Sequence, residues 1–332
     1  MKILVIRRDN IGDLVCTTPL FAALRRGHPD AWIGALVNSY NAPVLDRNPH
    51  LDEVVSYRKL KHLEAGESKL AALGRSAAAF WRLRRKQLDL VVLATPGVAT
   101  RGLALARWLK PKRIAGYDDG TARTAAIDLR VPRAALGAKH EVEQVFALAP
   151  LLGLEGGIPP LVLEPDPGEL EKARAALGAH AGRTVAVHIS ARRRTQRWPA
   201  ERHVALIRSL RAPAMLLWSP GPPDHPQHPG DDDKAAEITR VLGDAVVPYR
   251  TATLPGLIGA LAACDDVICA DGGAMHLAAA LGKPIVALFG DSSVERWRPW
   301  GVPHRIARAG SRDVADLPVE EVLAAYRDLR SA

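Results

Sequence analysis

Residues 264–290 read CDDVICADGGAMHLAAALGKPIVALFG, and their pattern decides the fold. A short apolar run covers 266–270, Asp271-Gly272-Gly273 is a turn without bulky side chains, 274–281 holds strong helix formers, and 284–289 is apolar again. This predicts strand, glycine turn, helix, strand. Such a turn opens a helix on unpartnered N–H groups at the positive end of its dipole, which suits a phosphate. Gly272 and Gly273 leave the main chain approachable, and Asp271 stands outside the carboxyl end of a strand, where open α/β sheets place ligand contacts. A carboxylate there accepts from a sugar hydroxyl. Equally, Asp271 reads as a helix N-cap and His276 as a satisfied helix residue.

Toward the amino terminus, residues 2–7 have the pattern of a buried strand and 15–26 that of a helix, with RRDNIGD at 7–13 between them. Gly12 allows a tight turn, and Asp13 falls at the helix start, where a carboxylate caps N–H groups or faces a cleft. The G-x-G-x-x-G fingerprint is absent, which argues against an NAD dehydrogenase. Strand patterns at 32–37, 54–57, 89–94 and 113–117 alternate with helical ones at 68–86, 101–109 and 140–152. That alternation implies a mainly parallel sheet covered by helices. Glycines and prolines make 153–167 the best interdomain linker, and beyond it helices at 169–177, 200–211 and 234–242 alternate with strands at 184–189 and 214–218. Two doubly wound domains are expected, with RWRPWG at 296–301 as a rigid aromatic turn and a capped helix over 316–330.

Two loops of the second half stand out. Residues 190–199, SARRRTQRWP, start with Ser190 after a strand end and bring Arg192, Arg193, Arg194 and Arg197, whose forked guanidinium groups suit a diphosphate. A basic surface loop would read the same way. Residues 219–234, SPGPPDHPQHPGDDDK, read as a surface loop rather than a metal site, because no regular scaffold fixes His225 and His228. In the first half, nine basic residues crowd 58–86, Arg58, Lys59 and Lys61 among them. They form either a solvated helix face or the rim of a groove for a polyanionic acceptor.

The 332 residues suffice for two domains, each with its own core, and 48% hydrophobic against 24% charged residues is a globular balance. No run approaches the ~18 apolar residues of a membrane span, and residues 1–6 read as a strand rather than a signal peptide, so a cytosolic protein is expected. Cys16, Cys264 and Cys269 are too few for a disulfide framework or a structural zinc site. A net charge of +9 favours anionic partners, while 5% aromatic residues leave little stacking surface for single-stranded nucleic acid. Trp81, if exposed, would help a basic patch hold the first domain on anionic lipid.

Taken together, these loops resemble glycosyltransferase family nine, the ADP-heptose:lipopolysaccharide heptosyltransferases. Members of that family start with a strand, an I-G-D loop and a helix opening on Thr and Pro, matched by Ile11-Gly12-Asp13 and residues 18–25. They carry a K-R-W-P or K-H-W-P loop, matched by Gln196-Arg197-Trp198-Pro199. They also carry a D-T-G-x-x-H-L-A-A-A-L-G-x-P segment followed by F-G and R-W-x-P-W-G, matched by 271–284, Phe289-Gly290 and 296–301.

The resemblance implies an α/β fold of GT-B type, two Rossmann-like doubly wound domains facing across a cleft. The acceptor domain would cover 1–155, a linker 156–167, a nucleotide-sugar domain 168–315, and the helix at 316–332 would pack back on the first domain. Also implied is inverting transfer of heptose from ADP-heptose to a lipopolysaccharide inner core, with Asp13 as general base. Ser190, Gln196, Arg197, Asp271, Gly272, Gly273, Met275 and His276 would surround the nucleotide sugar. Arg58, Lys59 and Lys61 would meet the phosphorylated lipid A and inner-core acceptor, at an anionic membrane surface on the cytosolic face. No D-x-D motif stands near a strand end, so no obligatory divalent metal or other cofactor is expected. Two departures touch the diphosphate end: Gln196 replaces the Lys of K-R-W-P, and Gly272 replaces the Thr of D-T-G. A related transferase with another nucleotide sugar or acceptor, a noncatalytic nucleotide-sugar-binding protein and, from charge alone, a nucleic-acid binder stay open.

Overall fold

An apolar run such as KILVI at 2–6 is buried on both faces of a sheet only where helices cover it, and both halves of the chain are built that way. The computed structural model describes residues 1–57, 69–97, 100–178, 183–224 and 229–331, with 69–73 described by backbone alone. Arg58, Lys59, Lys61, His225 and His228 lie outside the described residues. The chain divides into two units, Met1–Glu164 and Pro165–Ala332, and the division falls inside the 156–167 segment.

The first unit contains β1 (Lys2–Ile6), α1 (Ile11–Val15), α2 (Thr18–Gly27), β2 (Trp32–Asn38), β3 (Glu53–Tyr57), α3 (Lys69–Arg85), β4 (Leu90–Leu93), α4 (Thr100–Leu109), β5 (Arg113–Asp118), β6 (Leu129–Pro132) and α5 (Glu141–Phe146). Its sheet is six-stranded, in the order β3-β2-β1-β4-β5-β6. The pairs are parallel, with Ile3 of β1 opposite Ile33 on one side and Leu90 on the other. The second unit contains α6 (Pro167–Leu177), β7 (Val185–His188), α7 (Ala200–Ser209), β8 (Ala214–Trp218), α8 (Asp232–Leu242), β9 (Val246–Arg250), α9 (Leu254–Ala263), β10 (Asp266–Ala270), α10 (Gly273–Ala280), β11 (Ile285–Leu288), α11 (Val294–Trp297), β12 (His304–Ala307) and α12 (Val319–Ser331). Its six-stranded parallel sheet runs β12-β11-β10-β7-β8-β9.

Counted within each unit, both orders are the same doubly wound 3-2-1-4-5-6 arrangement, which reverses direction between its first and fourth strands. Those pairs are β1 with β4 and β7 with β10, and the chains leaving their carboxyl ends diverge to open a crevice in each unit.

Several local patterns resolve differently from their sequence reading. The helix expected at 15–26 starts at Thr18, after the separate short α1, because Pro19 near the start of α2 lacks an N–H and its ring excludes the carbonyl four residues back. Helix α5 stops at Phe146, and 149–152 is a tighter turn ended by Gly153 in the left-handed region at φ 68°. Edge strands β6, β9 and β12 are only partly buried, so their apolar signal is diluted. Helix α9, for which the sequence reading assigned no element, carries two glycines, and a Cβ on Gly259 would lie 2.7 Å from the Glu169 backbone. Its glycine lets α9 press against α6. Among the described residues no helix is long and apolar enough to cross a membrane.

The family resemblance places the last helix on the first domain; in the structure the buried face of α12 belongs to the second unit. Val322 and Leu329, seven residues apart on one stripe, join the core formed with Val286, Leu288 and Ala307. Asp266, buried at the start of β10, accepts from the Tyr326 hydroxyl at 3.1 Å and pairs with Arg330 at 3.6 Å and Arg183 at 2.9 Å. Residues four apart on the helix thus hold the same carboxylate. Leu329→Ala should lower the unfolding free energy of the second unit by about 2–5 kcal/mol in urea titrations, the usual cost of a buried leucine. A change near zero would show that α12 is not part of that core.

Candidate functional site

Arg7, directly past β1 at the crevice of the first sheet, is 1% exposed. A guanidinium taken from water without a counter-charge costs several kcal/mol. Here three carboxylates meet it, Glu141 at 2.7 Å, Asp13 at 2.8 Å and Asp9 at 3.1 Å, and it also donates to the Ala94 carbonyl past β4. The chain after β1 is therefore tied to the chain after β4 and to the start of α5. Side-chain amides of Asn38 and Asn41 donate to the Asp9 carbonyl at 3.1 and 3.3 Å, and Thr95 donates to the Asp9 carboxylate at 3.0 Å. These bonds hold the turn from below.

Asp13 is the third residue of α1. One oxygen accepts from Arg7, and the other accepts from the Asn10 backbone N–H and side-chain amide, each at 3.0 Å. The capping reading of this residue holds: Asp13 caps α1, and 14% of its side chain stays exposed. Burial works against its ionisation, but the Arg7 charge and the Asn10 hydrogen bonds outweigh burial and hold the Asp13 carboxyl below the usual carboxylate value. Burial likewise pulls the Arg7 pKa down, and the surrounding carboxylates reverse the effect. Both groups are charged at neutral pH.

In the second unit Asp271 follows β10, and Gly272 leads into α10, whose first amides have no side-chain cap. Gly272 has an extended backbone that any residue adopts, and a Cβ there would meet nothing within 4 Å. A threonine would fit this position. Facing the turn, Gln196 donates from its amide to the Asp271 carboxylate at 3.0 Å and to the Ser292 hydroxyl at 3.1 Å. Burial raises the Asp271 pKa, against the Ser292 hydrogen bond and the Arg193 charge. Thr195 donates to Asp291 at 2.9 Å and Arg193 pairs with it at 3.4 Å, which ties the 190–197 loop to the turn after β11. A Cβ on Gly290 would lie 2.3 Å from the Thr195 carbonyl oxygen, so only glycine permits this approach.

The predicted residues of the second unit take these places. Gln196 and Asp271 contact each other, and Gly272 and Gly273 open α10. Arg197 is half-buried and donates to the Ala191 carbonyl at 3.1 Å, while Arg192, Arg193 and Arg194 are exposed. Ser190 accepts the Ser219 N–H at 2.9 Å. The Met275 side chain is fully buried, and the buried His276 ring stands edge-on to Trp297, 5.8 Å between centroids. Neither side chain faces open space.

Four contributors escape a sequence reading. Arg7 shows only as a charge at the end of an apolar strand, and Glu141 and Ser292 carry no motif. Lys234, on α8, donates to the Ile189 carbonyl at 3.0 Å past β7. Burial, opposed by Asp231 and reinforced by Arg197, lowers its pKa to about 8.

Two parallel doubly wound units, each with its polar groups gathered at its own reversal point, define a protein with two Rossmann-like units. The sequence model of glycosyltransferase family 9 (heptosyltransferase) matches residues 77–325, and the chain belongs to that family. It is a glycosyltransferase, with the α/β architecture of the GT-B type. Lipopolysaccharide heptosyltransferase 3 of Escherichia coli is 24% identical over 328 residues, covering 93% of this chain and 89% of that protein. Among solved structures, the glycosyl transferase family 9 protein of Veillonella parvula is similar with a TM-score of 0.81 at 19% identity, covering 99% of this chain and 96% of its own. E. coli heptosyltransferase WaaC with ADP is similar at 0.80 and 20% identity, covering 99% and 100%. At such identities the structural likeness establishes the fold.

Arg7→Met should cost about 3–5 kcal/mol in urea unfolding, because Glu141 and Asp13 then lose their buried counter-charge. An unchanged midpoint would mean that the cluster carries no such constraint. His188, last residue of β7, is buried with Nε2 unpartnered, and burial together with the Lys234 charge lowers its pKa to about 4. Its folded pKa lies below the ordinary 6.5, so its stabilising contribution is complete above pH 6.5 and is lost as pH falls through 4. Unfolding of the second unit followed against pH should weaken by about 3 kcal/mol across that window, and His188→Leu should flatten the slope.

Proposed function

We propose that the protein transfers heptose from ADP-heptose to a phosphorylated inner-core acceptor of lipopolysaccharide, with inversion at the anomeric carbon and no obligatory metal. The observation that carries this reading is the uncapped start of α10 beside Asp271 and the arginine-bearing loop 190–197. Main-chain amides at a positive helix end and forked cations are the groups that stabilise a departing diphosphate. Two structurally similar heptosyltransferase structures hold ADP and ADP-2-deoxy-2-fluoro heptose, which supports an ADP-linked donor here.

In this mechanism the acceptor hydroxyl attacks the anomeric carbon as the bond to the diphosphate breaks. Asp13 takes the hydroxyl proton, and its depressed pKa keeps it in the receptive, ionised form at neutral pH. Arg7 fixes the orientation of that carboxylate. The amides of Gly272 and Gly273 with Arg197 receive the negative charge that develops on the phosphate, and Asp271, held by Gln196 and Ser292, accepts from a sugar hydroxyl. His276 acts indirectly by packing against Trp297. The acceptor lies on a membrane, and the enzyme works at its cytosolic face.

Asp13→Ala should reduce product formation, measured by mass spectrometry on a core acceptor, by about 10²–10⁴-fold while leaving the thermal shift produced by ADP-heptose intact. Equal turnover by variant and wild type would remove the base from Asp13. A second reading, a donor other than ADP-heptose, is favoured by one observation: the family Lys is replaced by Gln196, whose neutral amide is committed to Asp271 and Ser292. Thermal shifts with ADP-heptose, UDP-glucose and GDP-mannose separate the two, and silence toward ADP-heptose with a response to another donor would overturn the first.

A further inference from the structure

Trp81 on α3 is 54% exposed and Trp108 on α4 is 36% exposed, and among the seven tryptophans these are the two classed as exposed. They touch each other, edge to face, with centroids 5.3 Å apart. The Arg84 guanidinium lies 4.8 Å from the Trp108 ring centre and 5.8 Å from that of Trp81, and it donates to the Trp108 carbonyl at the end of α4. A cation at a helix carboxyl end, stacked on two indoles, fixes both rings in place. The pair is a preorganised amphipathic surface, not two stray side chains.

The surrounding charge has one sign. Between residues 75 and 113 the sequence has ten Lys and Arg and a single acid, Asp89. Asp89 is taken up by Lys112 at 2.7 Å, and Glu53 on the adjacent strand is taken up by Arg82 at 2.7 Å and Lys86 at 3.1 Å. Among the described residues no carboxylate lies within ion-pair distance of Arg84, Arg85 or Arg107, and Arg85, Arg107 and Lys110 are exposed.

We infer that this α3–α4 face docks on an anionic lipid bilayer, with Trp81 and Trp108 seated among the headgroups and the flanking cations on lipid phosphates. Indole rings partition to the membrane–water boundary because they have an apolar body and a polar edge, and basic residues next to an anionic leaflet add attraction one by one. A second protein is a poorer occupant. The exposed indole surface is on the order of 200 Å², against roughly 800 Å² per partner in a stable protein interface. A second copy of the chain would also bring the same positive charge against itself. This face deepens the reading of a membrane-borne acceptor by naming what holds the enzyme beside it. Vesicle binding is measured without donor or acceptor, so the two readings fail separately.

The test floats the full chain with vesicles of phosphatidylcholine alone or mixed with phosphatidylglycerol, and measures quenching of tryptophan emission by brominated lipid. Wild type should bind the mixed vesicles in a salt-sensitive way and be quenched. Trp81→Ala combined with Trp108→Ala should weaken binding about tenfold and abolish the quenching. Arg85→Glu with Arg107→Glu should weaken it more than tenfold. Trp81→Ala alone, at the most exposed position, covers the case in which the double variant melts early, and should give an intermediate loss. The inference is overturned if wild type ignores phosphatidylglycerol vesicles at low salt, if the tryptophan variants bind and are quenched as wild type is, or if the patch instead drives concentration-dependent self-association without vesicle binding.

Discussion

A buried guanidinium ringed by carboxylates sets the terms for the first unit. Arg7 sits at the point where the sheet order reverses, and its charge has no access to bulk water. Such a group is tolerable only if its counter-charges are held at contact distance, so the turn after β1, the carbonyl after β4 and the first residue of α5 must all be in place at once. The orientation of Asp13 follows from that requirement. Its carboxylate is at once a helix cap, half of an ion pair and the one partly exposed oxygen acid of α1, and any chemistry it performs borrows its geometry from Arg7.

The second unit solves the corresponding place differently. At its own reversal point, between β7 and β10, the carboxyl of Asp271 is met by the neutral amide of Gln196 and the hydroxyl of Ser292 rather than by a formal cation. Hydrogen bonds from neutral donors satisfy a buried carboxylate without neutralising it, which is why burial still raises the Asp271 pKa while the Arg7 cluster lowers that of Asp13. Cations are present nearby, but Arg192 and Arg194 are exposed, Arg193 pairs with Asp291 and Lys234 donates to the Ile189 carbonyl. The neutral Gln196 therefore leaves main-chain amides and Arg197 as the groups that would meet the diphosphate of the proposed donor.

Much of this arrangement was legible in the chain. The apolar runs at β1, β2, β4, β7, β8, β10 and β11 and the helix-forming stretches between them announced a parallel sheet in each half, because strands covered on both faces must be apolar at every position. The Gly272-Gly273 turn and the Gln196-Arg197-Trp198-Pro199 loop marked the candidate site of the second unit, and Ile11-Gly12-Asp13 that of the first. Edge strands β6, β9 and β12 were less legible, since one side of each meets solvent and dilutes the apolar signal. Helix α9 was obscured by glycines that serve close packing against α6 rather than a turn.

What the sequence determined alone are properties that repeat over a few residues: strand and helix periodicity, turn chemistry, the glycine turn before α10 and the family to which the motifs belong. What only the tertiary structure decided are contacts between residues far apart in the chain. Arg7 meets Glu141 across 134 positions and Gln196 meets Asp271 across 75. Trp81 on α3 stacks against Trp108 on α4. The last helix, whose own pattern is compatible with any apolar surface, was committed to the second unit by Asp266 and the core around Val322 and Leu329. The reason is physical: period and propensity are carried by neighbours along the chain, whereas charge compensation and burial are settled by whichever groups the sheet order brings together.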